Sequence, residues 1–205
     1  LCVRWSPGGE FLAAGSHGGG VNIWETTGWK PAGSLSARSR SPVISIGWSP
    51  DGRLIAAGRL DGNIDVWDMK KGGHIITLSG YTDKRCDVNG LAWSPDGKIL
   101  STTHQDGTIR LWNRETWKII RSIKAHSGWA RGIAWSPRGD LIATTGENGM
   151  LCLWLPESGE KYAEHLHSQL PVWSVSWSPD GRGLAAGSGI YNQPHSGFTA
   201  VWKER

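Results

Sequence analysis

Val43-Ile44-Ser45-Ile46-Gly47-Trp48-Ser49-Pro50-Asp51-Gly52-Arg53-Leu54-Ile55-Ala56-Ala57-Gly58 reads as an apolar strand, a tight turn and a second apolar strand. Proline at the second turn position presets φ, and glycine closes the turn. Asp61-Gly62 follows, a dipeptide that tolerates the positive φ of a two-residue hairpin, and then a third strand, Asn63 to Trp67. After the polar connection from Asp68 to Gly73, a fourth apolar segment, His74 to Leu78, ends the unit. The stretch therefore predicts a four-stranded antiparallel meander.

The unit recurs along the chain. Trp-Ser-Pro begins at Trp5, Trp48, Trp93, Trp135 and Trp177, with spacings of 43, 45, 42 and 42 residues. A second tryptophan, at Trp24, Trp67, Trp112 and Trp154, follows each of the first four by 19 residues, whereas Trp202 follows Trp177 by 25, so the fifth unit carries a six-residue insertion. The hairpin dipeptide is echoed by Gly18-Gly19, Asp106-Gly107, Asn148-Gly149 and Ser196-Gly197. No segment shows a sustained helical period, so the chain reads as all-β. A lone meander cannot bury both faces. Strands ending in Trp are apolar on both sides, which predicts sheets stacked face to face as in a propeller, with a charged fourth strand, such as Lys118, Arg121 and Lys124, at the solvated rim.

Composition bounds the rest. The 205 residues carry 22 Lys or Arg and 18 Asp or Glu, a net charge of +4, and 38% are hydrophobic, which excludes a disordered chain. The longest aliphatic runs, such as Leu54-Ile55-Ala56-Ala57, are far below the roughly 18 residues of a membrane-crossing helix, and no membrane partner is expected. Cys2, Cys86 and Cys152 form no C-x-x-C and cannot all pair, which favours free thiols in a reducing, cytoplasmic setting. Residue 1 is Leu, so the N-terminus reads as a cut or processed end.

Trp-Ser-Pro-Asp-Gly, followed by Asp-Gly-x-Ile-x-Val/Leu-Trp at this period, resembles the WD-repeat β-propeller family, and the match spans essentially the whole chain. The resemblance implies five four-stranded blades over approximately 1–36, 37–80, 81–124, 125–166 and 167–205, in one propeller, complete or partial, with the last blade lacking its outer strand. Two readings of that missing strand stay open: five consecutive blades of a longer ring, favoured by the usual range of roughly 4 to 8 blades, or a five-bladed ring with an incomplete last blade. Only Trp67-Asp68 keeps the name-giving dipeptide. The family often ties a blade together through a hydrogen-bonded His, Ser/Thr, Asp and Trp set. His126, Thr144, Asn148 and Trp154 come closest to it; Thr102, Asp106 and Trp112 supply three members, with Tyr81 where His is expected, and Ala57 takes the hydroxyl position of the second repeat. Blade stability is then expected to rest more on Trp packing than on this network.

Candidate chemistry is sparse. His17-Gly18-Gly19-Gly20 matches an oxyanion-loop string, but it sits at the hairpin position and no G-x-S-x-G elbow accompanies it. His165 and His167 on one strand begin a metal site that lacks further ligands, so no metal and no cofactor is expected. Phosphate-loop and dinucleotide fingerprints are absent. The basic residues between Arg110 and Arg131 are too few for a nucleic-acid footprint, so nucleic acid is disfavoured.

Ten of the 14 tryptophans are the repeat's own core residues. Trp29 and Trp117 approach fourth strands, where they are expected to cover a blade's outer edge, while Trp129 and Trp173 stand at the entrance to first strands. In the WD-repeat family that entrance face is the habitual partner surface. The positions the resemblance implies are Ile44, Asn89, Arg131 and Trp173; Asp87 and Trp129; and His17, Leu60, Gln105, Glu147 and His195. The insertion around Tyr191 is expected to enter the same face. The predicted partner-binding residues are Trp129, Arg131, Trp173, Tyr191 and His195, with Asp87 and Asn89, because Trp, Tyr and Arg dominate interface energetics.

The expected function is a non-catalytic scaffold that binds a protein or peptide. A related alternative is a sensor module of a larger kinase or nucleotide-driven signalling protein, with completion of the last blade by another chain or by the rest of the parent left open. A different class, an enzyme using the central channel with His17, Asp87, His104 and Arg131, lacks a nucleophile, base and orienting group.

Overall fold

A computed structural model describes residues 2–79, 86–189 and 199–203, the last five as backbone only. Its described residues hold strands and no helix. The first repeat gives β1 (Cys2–Trp5), β2 (Phe11–Gly15), β3 (Val21–Glu25) and β4 (Lys30–Leu35), and the second β5 (Val43–Trp48), β6 (Leu54–Arg59), β7 (Asn63–Asp68) and β8 (Gly73–Ser79). The third gives β9 (Val88–Trp93), β10 (Ile99–His104), β11 (Thr108–Asn113) and β12 (Ile119–Lys124). The fourth gives β13 (Ala130–Trp135), β14 (Ile142–Gly146), β15 (Met150–Trp154) and β16 (Lys161–Leu166). The fifth gives β17 (Val172–Trp177), β18 (Gly183–Ser188) and β19 (Thr199–Lys203). Each repeat forms one antiparallel sheet in chain order, four-stranded except the last, which has three strands among the described residues.

The Ser-Pro-Asp-Gly turn works through its own side chains. In the second repeat the Ser49 hydroxyl donates to Asp51 Oδ1 at 2.5 Å and accepts from the Leu54 N–H, while the Gly52 N–H donates to the Ser49 carbonyl. The Ser94–Asp96 and Ser178–Asp180 turns repeat the hydroxyl–carboxylate bond. Those serine bonds hold the Asp96 and Asp180 carboxyls below the usual carboxylate range. The second hairpin depends on glycine. Gly149 has φ of +75°, and a Cβ there would lie 1.9 Å from the Ser168 carbonyl oxygen. Its own carbonyl accepts the His167 and Ser168 N–H groups, so the hairpin anchors the connector into the next repeat.

The chain falls into two compact units. In the first, Leu1–Trp93, the core joins Val21, Ile23, Val43, Ile46, Trp48, Ile55, Ala57 and Trp67. Two of its Trp-Ser-Pro tryptophans tie to the repeat before them: Trp48 Nε1 donates to the Arg4 carbonyl at 3.3 Å and Trp93 Nε1 to the Gly47 carbonyl at 3.2 Å. Gly47 permits that approach, since a Cβ would meet Leu91 at 2.4 Å. Trp5 departs from the expected core role. It is 55% exposed and packs edge-on against Trp29. The second repeat also buries an unexpected ion pair, Arg59 Nε on Asp65 Oδ2 at 2.5 Å, with Thr77 and His74 completing the carboxylate's bonds.

In the second unit, Ser94–Arg205, Trp177 Nε1 donates to the Ala134 carbonyl at 3.3 Å, and Trp135 Nε1 to the Ser101 hydroxyl at 2.8 Å. The fourth repeat holds the complete network expected of it. Trp154 Nε1 donates to Thr144 Oγ1 at 2.9 Å, Thr144 Oγ1 lies 3.0 Å from His126 Nε2, and His126 Nδ1 lies 3.0 Å from Asn148 Oδ1. One proton direction satisfies every member: indole to hydroxyl, hydroxyl to Nε2, and Nδ1–H to the amide oxygen. Burial pushes His126 down to about 4, which keeps its ring neutral, as that direction requires. In the third repeat Trp112 donates to Thr102, and the second partner of Thr102 is His104, two residues along the same strand. Tyr81 lies outside the described residues.

Candidate functional site

Two β-bulges build the site. Between β13 and β14, Ala130 pairs with Gly146 and Ile133 with Thr144, so Arg131 and Gly132 share the single opposing residue Thr145. Between β17 and β18, Val172 pairs with Ser188 and Ser174 with Gly187, which leaves Trp173 as the extra residue. Ile44 is extra in the same way between β5 and β6. A bulge breaks the alternation of the strand and re-aims a side chain, so these entrance positions turn Arg131 and Trp173 away from the regular pleat.

The result is a stack. The Arg131 guanidinium carbon lies 4.3 Å from the Trp129 ring centroid and 4.3 Å from that of Trp173, so both indoles make cation–π contact with the one cation. Each contact is worth roughly 0.5 to 2 kcal/mol, according to how much water it excludes. Glu147, which follows β14, accepts from Arg131 Nη2 at 2.5 Å, and its N–H donates to the Trp129 carbonyl at 3.0 Å. Trp173 Nε1 donates to the Gly189 carbonyl at 2.8 Å, which fixes the outer ring. The Arg131 carbonyl accepts from Thr103 Oγ1 at 2.6 Å, which holds the bulge from below. Trp173 stays 41% exposed, and the side chains of Glu147 and Arg131 are 33% and 14% exposed.

Gly132 makes the stack sterically accessible. A Cβ there would lie 2.7 Å from Thr145 Oγ1 and 3.0 Å from the Ser174 Cα, so only glycine lets β17 come close enough for Trp173 to reach Arg131. The sequence offered no signal for Gly132, and Glu147 was visible only as one of several face positions. Trp129, Arg131 and Trp173 come together; Asp87 and Asn89 belong to the first unit, and both hold further interactions there or elsewhere in the fold. Tyr191, His195 and most of the insertion lie outside the described residues.

The residues singled out for other chemistry are held as follows among the described residues. In the His17 loop, Gly19 N–H donates to the Ser16 carbonyl and Gly20 N–H to the Ser16 hydroxyl, so the string is a turn whose donors are in use. His104 is fully buried against Thr102. His165 is exposed and His167 buried, so the two rings stand in different environments, and among the described residues no three His, Cys, Asp or Glu converge. Three basic residues of the third repeat are engaged within the fold: Arg110 with Asp106, Arg121 with the Ser158 carbonyl of the next repeat and Lys124 with the Asp106 carbonyl. Trp29 and Trp117 hold φ of +53° and +55°, left-handed turn positions that glycine fills as Gly72 and Gly159 in other repeats, a constraint not read from the sequence. No disulfide joins the three cysteines, and no helix among the described residues is long and apolar enough to cross a membrane.

The family model described as "WD domain, G-beta repeat" matches residues 1–25, 29–68, 72–113, 117–154 and 160–189. A chain of the solved "Crystal Structure of Mitotic Checkpoint Complex" superposes with a TM-score of 0.86 at 23% identity, over 99% of this chain and 60% of that one. At that identity the likeness is one of fold. No match was found among curated proteins.

Proposed function

Because this chain belongs to the WD40-repeat family, we propose that it is a non-catalytic interaction platform that takes a protein or peptide on the face carrying Trp129, Arg131 and Trp173. One observation carries the reading: a guanidinium held between two indoles, the outer one 41% exposed, on bulges that aim both side chains out of their sheets. Large rigid rings give contact area at low entropic cost, and a clamped arginine loses little freedom on binding. Mechanism then means presentation. Sheets fix the bulges, bulges fix the side chains, and the partner meets a preformed surface.

The chain spans 60% of the solved chain it resembles, so the architecture of its parent and the identity of its partner are proposals too. A propeller completed by the rest of a parent, or one serving as the sensor of a signalling protein, uses the same face in the same way. The test is affinity capture from cells of the source with the wild-type chain, Trp173→Ala and Trp29→Ala as a control. The reading expects Trp173→Ala to lose partners that Trp29→Ala retains; identical partner sets from both would overturn it.

A further inference from the structure

We propose that the Trp129–Arg131–Trp173 stack is a receptor for a carboxylate, and that its partner is a segment pairing Asp or Glu with an apolar residue such as proline. This inference rests on the reading that this face binds a partner. Both indoles lie against the guanidinium at 4.3 Å, so what it offers a ligand is its N–H edge. That edge carries five N–H groups in a fixed fork that matches a carboxylate. Glu147 Oε1 takes one of them, at Nη2. Nε is buried and has no hydrogen-bond partner in the structure, and no described residue accepts from Nη1, which is not sealed from solvent.

An arginine that only served folding would spend its donors on neighbouring carbonyls. Arg121 shows this, with Nη1 on the Ser158 carbonyl and Nη2 on the Glu157 carbonyl. Arg131 is held rigidly, its Nε sealed from solvent and its Nη2 on Glu147, and Nη1 is the donor left open. Preorganised donors favour an anion because no side-chain freedom remains to be lost. Glu147 then sets which anion. Its carboxylate, beside Nη2, repels a phosphate dianion more strongly than a monoanionic carboxylate, so the edge suits Asp or Glu. The exposed ring of Trp173 borders the same edge and offers an apolar shelf for the residue next to the acid.

The test titrates the purified chain with a blocked pentapeptide that alternates glutamate and proline, followed by tryptophan fluorescence at low salt, with the glutamine counterpart and inorganic phosphate alongside. The glutamate peptide is expected to bind and the glutamine peptide to bind at least ~tenfold more weakly. Arg131→Lys, which keeps the charge and loses the fork, should weaken the glutamate peptide by about tenfold. Glu147→Gln, which keeps an acceptor for Nη2 and removes the competing charge, should tighten it by about threefold. The opposite directions separate recognition from loss of folding. Equal binding of both peptides, no response to either substitution, or phosphate displacing the peptide at equal concentration would each overturn the carboxylate assignment. If in addition Trp173→Ala removes captured partners while the acidic peptide fails to bind, the face remains a partner site and only its chemistry has been misassigned.

Discussion

Trp67 shows how one residue replaces a missing network. The second repeat has Ala57 where Thr102 and Thr144 stand in the third and fourth, so Trp67 has no hydroxyl to donate to; its Nε1 reaches the Ser36 carbonyl at 3.3 Å, and its ring packs edge-on against His74. Trp67 is 1% exposed, and its contribution is packing. Trp67→Ala should lower unfolding free energy by roughly 3 to 5 kcal/mol, measured by denaturant titration, and a loss under ~1 kcal/mol would contradict this placement. His126 makes a prediction of the opposite kind. Its folded-state pKa is depressed by burial to about 4 from an ordinary 6.5, so the unfolded chain binds its proton first as pH falls. The stability tied to neutral His126 is complete above about 6.5 and is lost as pH drops toward about 4, at up to ~1.4 kcal/mol per pH unit. His126→Gln should flatten the midpoint-against-pH curve in that window; an unchanged slope would show that the ring is not held neutral.

At the scale of the element, the recurrent device is the entrance bulge. Its positions were legible in the sequence as offsets from Trp-Ser-Pro, because the family resemblance supplied them, but the bulge itself was not. Nothing in Ala130-Arg131-Gly132-Ile133 distinguishes a bulged strand from a regular one until the partner strand fixes the register, with two residues facing Thr145 alone. The same dependence on partners hid the Arg59–Asp65 pair and the His104–Thr102 bond, since single-strand patterning does not reveal which buried polar groups meet. What patterning did reveal, the strands, turns and hairpin glycines, is local in origin: Ser-Pro-Asp-Gly bonds within itself and needs no tertiary context. Gly132→Ala tests the bulge. Its Cβ would crowd Thr145 Oγ1 and the Ser174 backbone, so the variant should lose about 1 to 3 kcal/mol of stability and weaken the quenching of Trp173 by its neighbours; an unperturbed emission spectrum and midpoint would show that close approach is not what assembles the stack.

At the scale of the molecule, the repeats divide the labour between a frame and the bulges it displays. The frame is nearly uniform in the first four repeats, with each sheet built on the same turn, hairpin and paired tryptophans. The bulge position is where repeats differ: Ile44 occupies it in the second repeat, Arg131 in the fourth and Trp173 in the fifth. A repeat protein gains specificity by this route, since a bulge residue can change without disturbing the sheet that displays it. The central claim is that the Trp129–Arg131–Trp173 stack carries partner binding. It is tested most directly by isothermal titration of a partner captured with the wild-type chain against purified Trp173→Ala. The stack predicts a loss of about 2 kcal/mol or more, as for a central aromatic anchor. Affinity unchanged within ~0.5 kcal/mol would contradict it.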